Sequence, residues 1–146
     1  MDSKLETPLS AKVLSKPQAS GVILVCASLD SQESQAKAKA FEALGIEVIA
    51  MANVSGKVDL PKLFTYLATE RHMNEIHVEA GFKLNGSLLR EGCVDELLLY
   101  YAPFLMGESI GMANISPLTA LNQRQDWQII DQSPFGPDLR LRLGKK

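Results

Sequence analysis

The residues of this sequence that could do chemistry crowd into one stretch. Glu79 is followed by Ala80 and then by the run Gly81, Phe82, Lys83, Leu84, Asn85, Gly86, Ser87, with glycines at both 81 and 86. A glycine turn that opens a helix leaves backbone N–H groups without intrahelical partners, and an anion such as phosphate can sit against them. Glu79, at the carboxyl end of a predicted strand, stands where open α/β sheets put ligand-contacting side chains. The plainer reading of the same carboxylate is that it caps the N–H groups of the next turn. The remaining candidates are thinner. His72 falls at a predicted helix end, where an imidazolium suits the dipole, and His77 falls inside a strand, so both read as structural. Cys26 and Cys93 lie in apolar surroundings without metal or redox spacing and read as buried reduced thiols. Neither a Gly-x-Ser-x-Gly elbow, a Walker loop, a paired-Cys metal site nor a His-Glu-x-x-His motif occurs, so hydrolytic chemistry and a metal site find no support.

The elements that must position this stretch can be read from periodicity. Residues 22–27 form a nearly continuous apolar run, as in a strand buried on both faces. Asp30 is expected to cap the following helix with Glu33 as its capping-box partner; Ala36, Ala40, Phe41 and Leu44 form its apolar stripe, and Gly45 ends it. Residues 46–51 return as a second strand. Asp59 repeats the capping signal, Pro61 sits in the first turn, and Leu60, Leu63, Phe64, Leu67 and Ala68 make a second helical face. Residues 75–79 read as a third strand, Gly81 as a turn that a side chain would obstruct, and Leu84, Leu88 and Leu89 as a helix closed by Gly92. Three strand–helix units with right-handed crossovers give a parallel sheet flanked by helices. The apolar run 95–102 reads as a fourth, central strand that Pro103 ends. Residues 104–126 are irregular, with room for a short helix. Residues 127–131 and 138–143 flank Pro-Phe-Gly-Pro and read as an antiparallel hairpin at a sheet edge.

With 146 residues, 46% of them hydrophobic, and a formal charge of −2, the chain suits one domain with a substantial core. Residues 1–20, interrupted by Pro8 and Pro17, read as a connection. The charge balance leaves no footprint for nucleic acid; the basic cluster Arg140, Arg142, Lys145, Lys146 reads as a solvated strand face. No apolar run reaches the ~20 residues of a membrane span, and a cytoplasmic location is the default expectation. The apolar stretch 100–112 could supply a homodimer surface, although an intramolecular core strand is the commoner meaning of such a run.

The whole run from Val78 to Gly107 carries a more specific signal: Glu-Ala-Gly at the turn, Gly-x-Leu-Leu in the helix, Val-Asp-Glu-Leu entering the next strand and Ala-Pro-x-Leu-x-Gly leaving it. It resembles the reductase domain of the bifunctional riboflavin-biosynthesis deaminase/reductase, whose fold is dihydrofolate-reductase-like. The likeness extends from Asp2-Ser3 through Val-Asp-Leu-Pro before the second helix to Gly-Pro-Asp-Leu-Arg in the hairpin. The resemblance implies an α/β fold with a largely parallel sheet, flanking helices and a C-terminal antiparallel hairpin. It implies NADPH as cofactor, held by Ser3, Gly81, Phe82, Lys83, Leu84, Asn85, Gly86 and Ser87, and a phosphoribosylaminopyrimidine substrate contacted by Glu79. Phe82 departs from the family's usual Pro or Gly.

The implied reaction is NADPH-dependent reduction of 5-amino-6-(5-phosphoribosylamino)uracil to the ribitylamino product. Hydride chemistry belongs to the cofactor, which agrees with the lack of a side-chain nucleophile. The related pyrimidine reductase acting before deamination is the nearest alternative. Against the family pattern, residues 1–146 are expected to be a partial reductase domain, without the deaminase domain or the first part of the reductase domain. A non-catalytic dinucleotide-binding or dimerising fragment is therefore a second expectation of a different class.

Overall fold

Residues 1–14 and 21–146 are described by a computed structural model; Pro17 and the connection around it lie outside the described residues. The chain divides into a unit Met1–Asn74 and a unit Glu75–Lys146.

In the first unit, the β-branched run 22–27 yields strand β1 (Ile23–Cys26), which pairs in parallel with β2 (Glu47–Ala50), Ile23 opposite Glu47 and Cys26 opposite Ala50. Helix α1 (Gln32–Ala43) connects them, and Gly45 ends the helical turn at φ 76, a conformation that glycine adopts without penalty. The N-terminal residues run alongside β1: Asp2 N donates to the Val25 carbonyl at 2.8 Å, and Ala27 N donates to the Ser3 carbonyl at 3.1 Å. Phe41, Cys26, Ile46 and Leu5 are the most deeply buried large side chains, and they form one core with Leu14, Leu24 and Ala38. Helix α2 (Leu60–Thr69) opens as expected: Asp59 Oδ1 accepts from Lys62 N at 3.0 Å, with Pro61 in the first turn and Leu60 and Leu63 buried.

Two details of α1 differ from expectation. Its cap is Ser31, whose Oγ accepts from Ser34 N at 3.0 Å, one residue later than the predicted Asp30. Its inward face runs through Ser34, Lys37, Ala38 and Phe41, whereas Ala36 and Leu44 are exposed. The two polar members of this i, i+3, i+4, i+7 series hide it from a hydrophobic count; a lysine stem can cover apolar surface while its ammonium stays in water.

In the second unit, helix α3 (Phe82–Arg90) forms with Leu88 and Leu89 buried, and Gly92 ends it at φ 70. Three strands follow: β3 (Glu96–Tyr101), β4 (Trp127–Phe135) and β5 (Asp138–Lys145), in an antiparallel sheet ordered β3-β5-β4. The β4–β5 connection is the two residues Gly136 and Pro137, with Gly136 at φ 61, as a type II′ hairpin turn requires of its first residue. The strands thus run further into Pro-Phe-Gly-Pro than predicted. Pro134 is tolerated because β4 lies at an edge.

Three strand assignments are corrected. Residues 75–79 enter no ladder among the described residues, and Val78 and Glu79 are exposed. A three-residue β-prone run between glutamates buries too little to stay in a ladder by itself. The fourth strand is antiparallel and lies at an edge of its sheet, with Leu98 and Tyr100 exposed on one face and Leu97 and Leu99 half-buried on the other. The exposed face carries polar partners: Arg142 forks onto Glu96 with two 2.7 Å bonds, and Arg140 donates to Asp131 at 2.9 Å. β5, whose Leu139, Leu141 and Leu143 alternate with these arginines, is consequently the central strand of its sheet. Within residues 104–126 the one regular element is a short 3-10 turn, Leu121–Gln123.

Candidate anion-binding turn at the start of helix α3

Helix α3 starts at Gly81, its N-cap, with extended backbone at φ −86 and ψ 174 and no side-chain cap. The first intrahelical bond is Asn85 N to the Gly81 carbonyl at 3.0 Å, so the N–H groups of Phe82, Lys83 and Leu84 precede it. The first turn holds no acidic residue, and Lys83 is exposed within it. A cation at the positive end of a helix is locally unfavourable, and an anion bound there reverses the sign of that interaction.

The two glycines of the turn have different jobs. A Cβ at Gly81 would meet nothing within 4 Å, contrary to the expectation that a side chain would obstruct the turn. The free space in front of Gly81 leaves the backbone N–H groups approachable. A Cβ at Gly86 would instead run into the backbone of Asn114, with its carbonyl carbon and nitrogen 2.7 Å away. Gly86 is buried because residues 112–114 cross the helix there: Asn114 N donates to the Phe82 carbonyl at 2.9 Å, and Asn85 Nδ2 donates to the Met112 carbonyl at 2.9 Å. Arg90 donates to the Asn114 carbonyl and, at 3.0 Å, to Ser87 Oγ.

The other predicted residues are placed as follows. Glu79 is two residues before the N-cap, with its side chain 88% exposed and 3.7 Å from His77 Nε2. It accepts no hydrogen bond from the first-turn N–H groups of α3, so the local capping reading of this carboxylate fails. Phe82 and Leu84 are half-buried, and Ser87 Oγ is engaged by Arg90. Ser3 belongs to the other unit, where its carbonyl serves β1 and its residue is exposed. Beside it, burial pushes the Asp2 carboxyl up, but the hydroxyl and N–H of Thr7, with the N–H groups of Glu6 and Lys4, outweigh that and hold it below the usual carboxylate range. His72 follows the end of α2 at φ 53 and is exposed. Cys26 is buried, and that burial pushes its thiol up; Cys93 is only half-buried, because it follows the helix-ending Gly92 near the surface.

An open depression of about 450 Å³ lies at the other end of α3, lined by residues such as Leu89, Gly92, Gln125 and Trp127. Asn114, Met112 and Arg90 were not predicted as part of the site. A glycine in the interior of a helix was the available signal, since it marks a close backbone approach.

These features define an α/β protein in which helix α3 begins without a side-chain cap, two residues after an exposed carboxylate. The profile of the RibD C-terminal domain matches residues 1–139, and the chain belongs to that family. It is 30% identical over 143 residues to the riboflavin biosynthesis protein RibD of Bacillus amyloliquefaciens, covering 97% of this chain and 37% of that protein. It is 30% identical over 91 residues to the 5-amino-6-(5-phosphoribosylamino)uracil reductase of Buchnera aphidicola, covering 62% of this chain and 44% of that enzyme. Among solved structures, RibD of Acinetobacter baumannii superposes with a TM-score of 0.75 at 26% identity, over 97% of this chain and 35% of that one. The chain thus spans little more than a third of the RibD proteins it matches. No helix among the described residues is long and apolar enough to cross a membrane.

Proposed function

We propose that this chain holds NADPH and a phosphoribosylaminopyrimidine for the reduction of 5-amino-6-(5-phosphoribosylamino)uracil to 5-amino-6-(5-phosphoribitylamino)uracil in riboflavin biosynthesis. The observation that carries the reading is the start of α3: an uncapped helix N-terminus with Lys83 in its first turn and free space in front of Gly81. The backbone N–H groups of Phe82, Lys83 and Leu84 would hold the pyrophosphate, and the Lys83 ammonium would add a charge that phosphate neutralises. The bound nicotinamide supplies the hydride. Glu79, exposed beside the turn and engaged with nothing closer than His77 at 3.7 Å, is available to accept N–H donors of a pyrimidine ring. Family membership and the names of the relatives support the same reading.

The test is thermal unfolding of the chain alone, with NADPH and with NADH, followed by turnover with the pyrimidine substrate. A ligand at ~100 times its dissociation constant stabilises by roughly 2.7 kcal/mol. NADPH should raise the transition by several degrees, and Gly81→Trp should abolish the rise, because a bulky side chain would stand at the turn, where a Cβ itself meets nothing within 4 Å. An NADPH shift that persists in Gly81→Trp puts the cofactor elsewhere. Silence toward both dinucleotides defeats the cofactor assignment, and binding without turnover leaves a nucleotide-holding domain.

A further inference from the structure

The three long helices are fixed at their starts in two different ways. Helices α1 and α2 are capped by side chains, Ser31 and Asp59, which occupy first-turn N–H groups. Helix α3 has no such cap, and its first turn is held from the carbonyl side by residues 112–114. Asn114 N grips the Phe82 carbonyl, Met112 offers its carbonyl to Asn85 Nδ2, and Arg90 reaches from the last turn to the Asn114 carbonyl. The missing Cβ of Gly86 lets the strap lie against the helix. A side-chain cap would compete with a ligand for the N–H groups; a strap on the carbonyls leaves them free and still fixes their direction.

We propose that residues 112–114, locked by Arg90, are a positioning strap for the dinucleotide-binding turn, and that Asn85 acts through this strap rather than by touching the cofactor. The inference rests on the reading of the α3 start as the NADPH site and changes the role of one residue within it. The Asn85 amide nitrogen gives one of its two N–H donors to the Met112 carbonyl at 2.9 Å, which ties the side chain to the strap. Arg90, at the far end of the helix, becomes a residue on which affinity depends without any contact to ligand. Hydrogen bonds weaken steeply as their geometry departs from alignment, so a loosened first turn binds less well while remaining helical.

The experiment is an NADPH titration of the full chain, followed by fluorescence of the reduced nicotinamide, for wild type, Asn85→Ala, Arg90→Gln, Arg90→Lys and the Asn85→Ala/Arg90→Gln double variant. Each is measured at a temperature where circular dichroism shows it folded. Each of the first two variants should weaken binding by about tenfold, the size expected for one well-made hydrogen bond. The double variant should lose little more than either, because both act on one strap. Arg90→Lys, which keeps a donor for the Asn114 carbonyl, should recover most of the affinity. A double variant near a hundredfold weaker would mean that Asn85 and Arg90 act independently and would overturn the strap. Unchanged affinity in folded Asn85→Ala and Arg90→Gln would overturn it equally. Failure of the wild type to bind NADPH is a different result, which removes the cofactor reading on which the strap depends.

Discussion

Replacing Gly86 by alanine sets two effects of opposite sign against each other, and the structure decides between them. Helix propensity alone favours alanine over glycine in a helix interior by about 1 kcal/mol. Against it, the new Cβ would stand 2.7 Å from the carbonyl carbon and nitrogen of Asn114, where ordinary contact begins well above 3 Å. The obstacle is backbone, which cannot swing aside as a side-chain end can. Residues 112–114 must then move outward by roughly 1 Å, overpacking of a kind that costs about 1–3 kcal/mol. The same movement stretches the Asn114–Phe82 and Asn85–Met112 bonds, both 2.9 Å, each contributing about 1 kcal/mol. The net expectation is destabilisation by about 2 kcal/mol, which for a chain of this size lowers the melting temperature by about 6 °C. Scanning calorimetry of Gly86→Ala beside Gly81→Ala is the assay. At Gly81 a Cβ meets nothing and φ is −86, so the second variant should change stability by less than about 1 kcal/mol. A Gly86→Ala protein as stable as wild type, or more so, would refute the strap contact.

Two further outcomes follow from caps and charges. Ser31→Ala and Asp59→Ala should each cost about 1 kcal/mol in urea denaturation, and Asp30→Ala no more than about 0.5 kcal/mol; the reverse order at positions 30 and 31 would restore Asp30 as the cap. In acid, the β3-β5-β4 sheet should weaken. Hydrogen bonds from Arg142 hold the Glu96 carboxyl below its usual range, and those from Arg140 do the same to Asp131. A carboxylate depressed in the folded state contributes stability that is complete above its unfolded pKa of about 4 and is lost as pH falls through the folded value. Urea midpoints measured from pH 7 downward should fall below about pH 4, and less steeply in Glu96→Gln. An acid limb identical in that variant would show that the ion pair does not contribute.

Much of the fold was legible because local chemistry and tertiary structure agree. The strand–helix–strand course of the first unit follows from an apolar run, a cap region and Gly45, whose φ of 76 ends the helix where the spacing placed the end. Asp59 with Pro61 marked the start of α2, which ends at Thr69, earlier than the predicted end near His72. Strand partnership was less legible. The run at β3 is apolar at every second and every intervening position, which sequence alone reads as burial on both faces. Its partner β5 puts arginines opposite Leu98 and Tyr100, and that face remains exposed. Residues 75–79 carry strand-forming types yet join no ladder, since a ladder needs a neighbour that composition does not reveal.

The turn at Gly81 was legible as a helix start and misread in its mechanics. Gly81 drew attention as a residue whose backbone needs freedom, but its torsions are ones any residue adopts, and what matters there is the absence of a capping side chain. A serine or aspartate at that position would satisfy the first-turn N–H groups from within the chain, as Ser31 and Asp59 do in α1 and α2. Leaving them unsatisfied costs stability in the ligand-free helix and makes them available to a phosphate. The helix then needs another means of holding its first turn, and a first-turn carbonyl, already bonded within the helix, keeps a second lone pair for a further donor. The crossing of residues 112–114 supplies it at Phe82, and Gly86 is the local sacrifice of propensity that lets the crossing occur. Sequence spacing pairs Gly81 with Gly86 as one motif, whereas their physical roles are separate: the first keeps donors free, and the second admits the backbone that aims them.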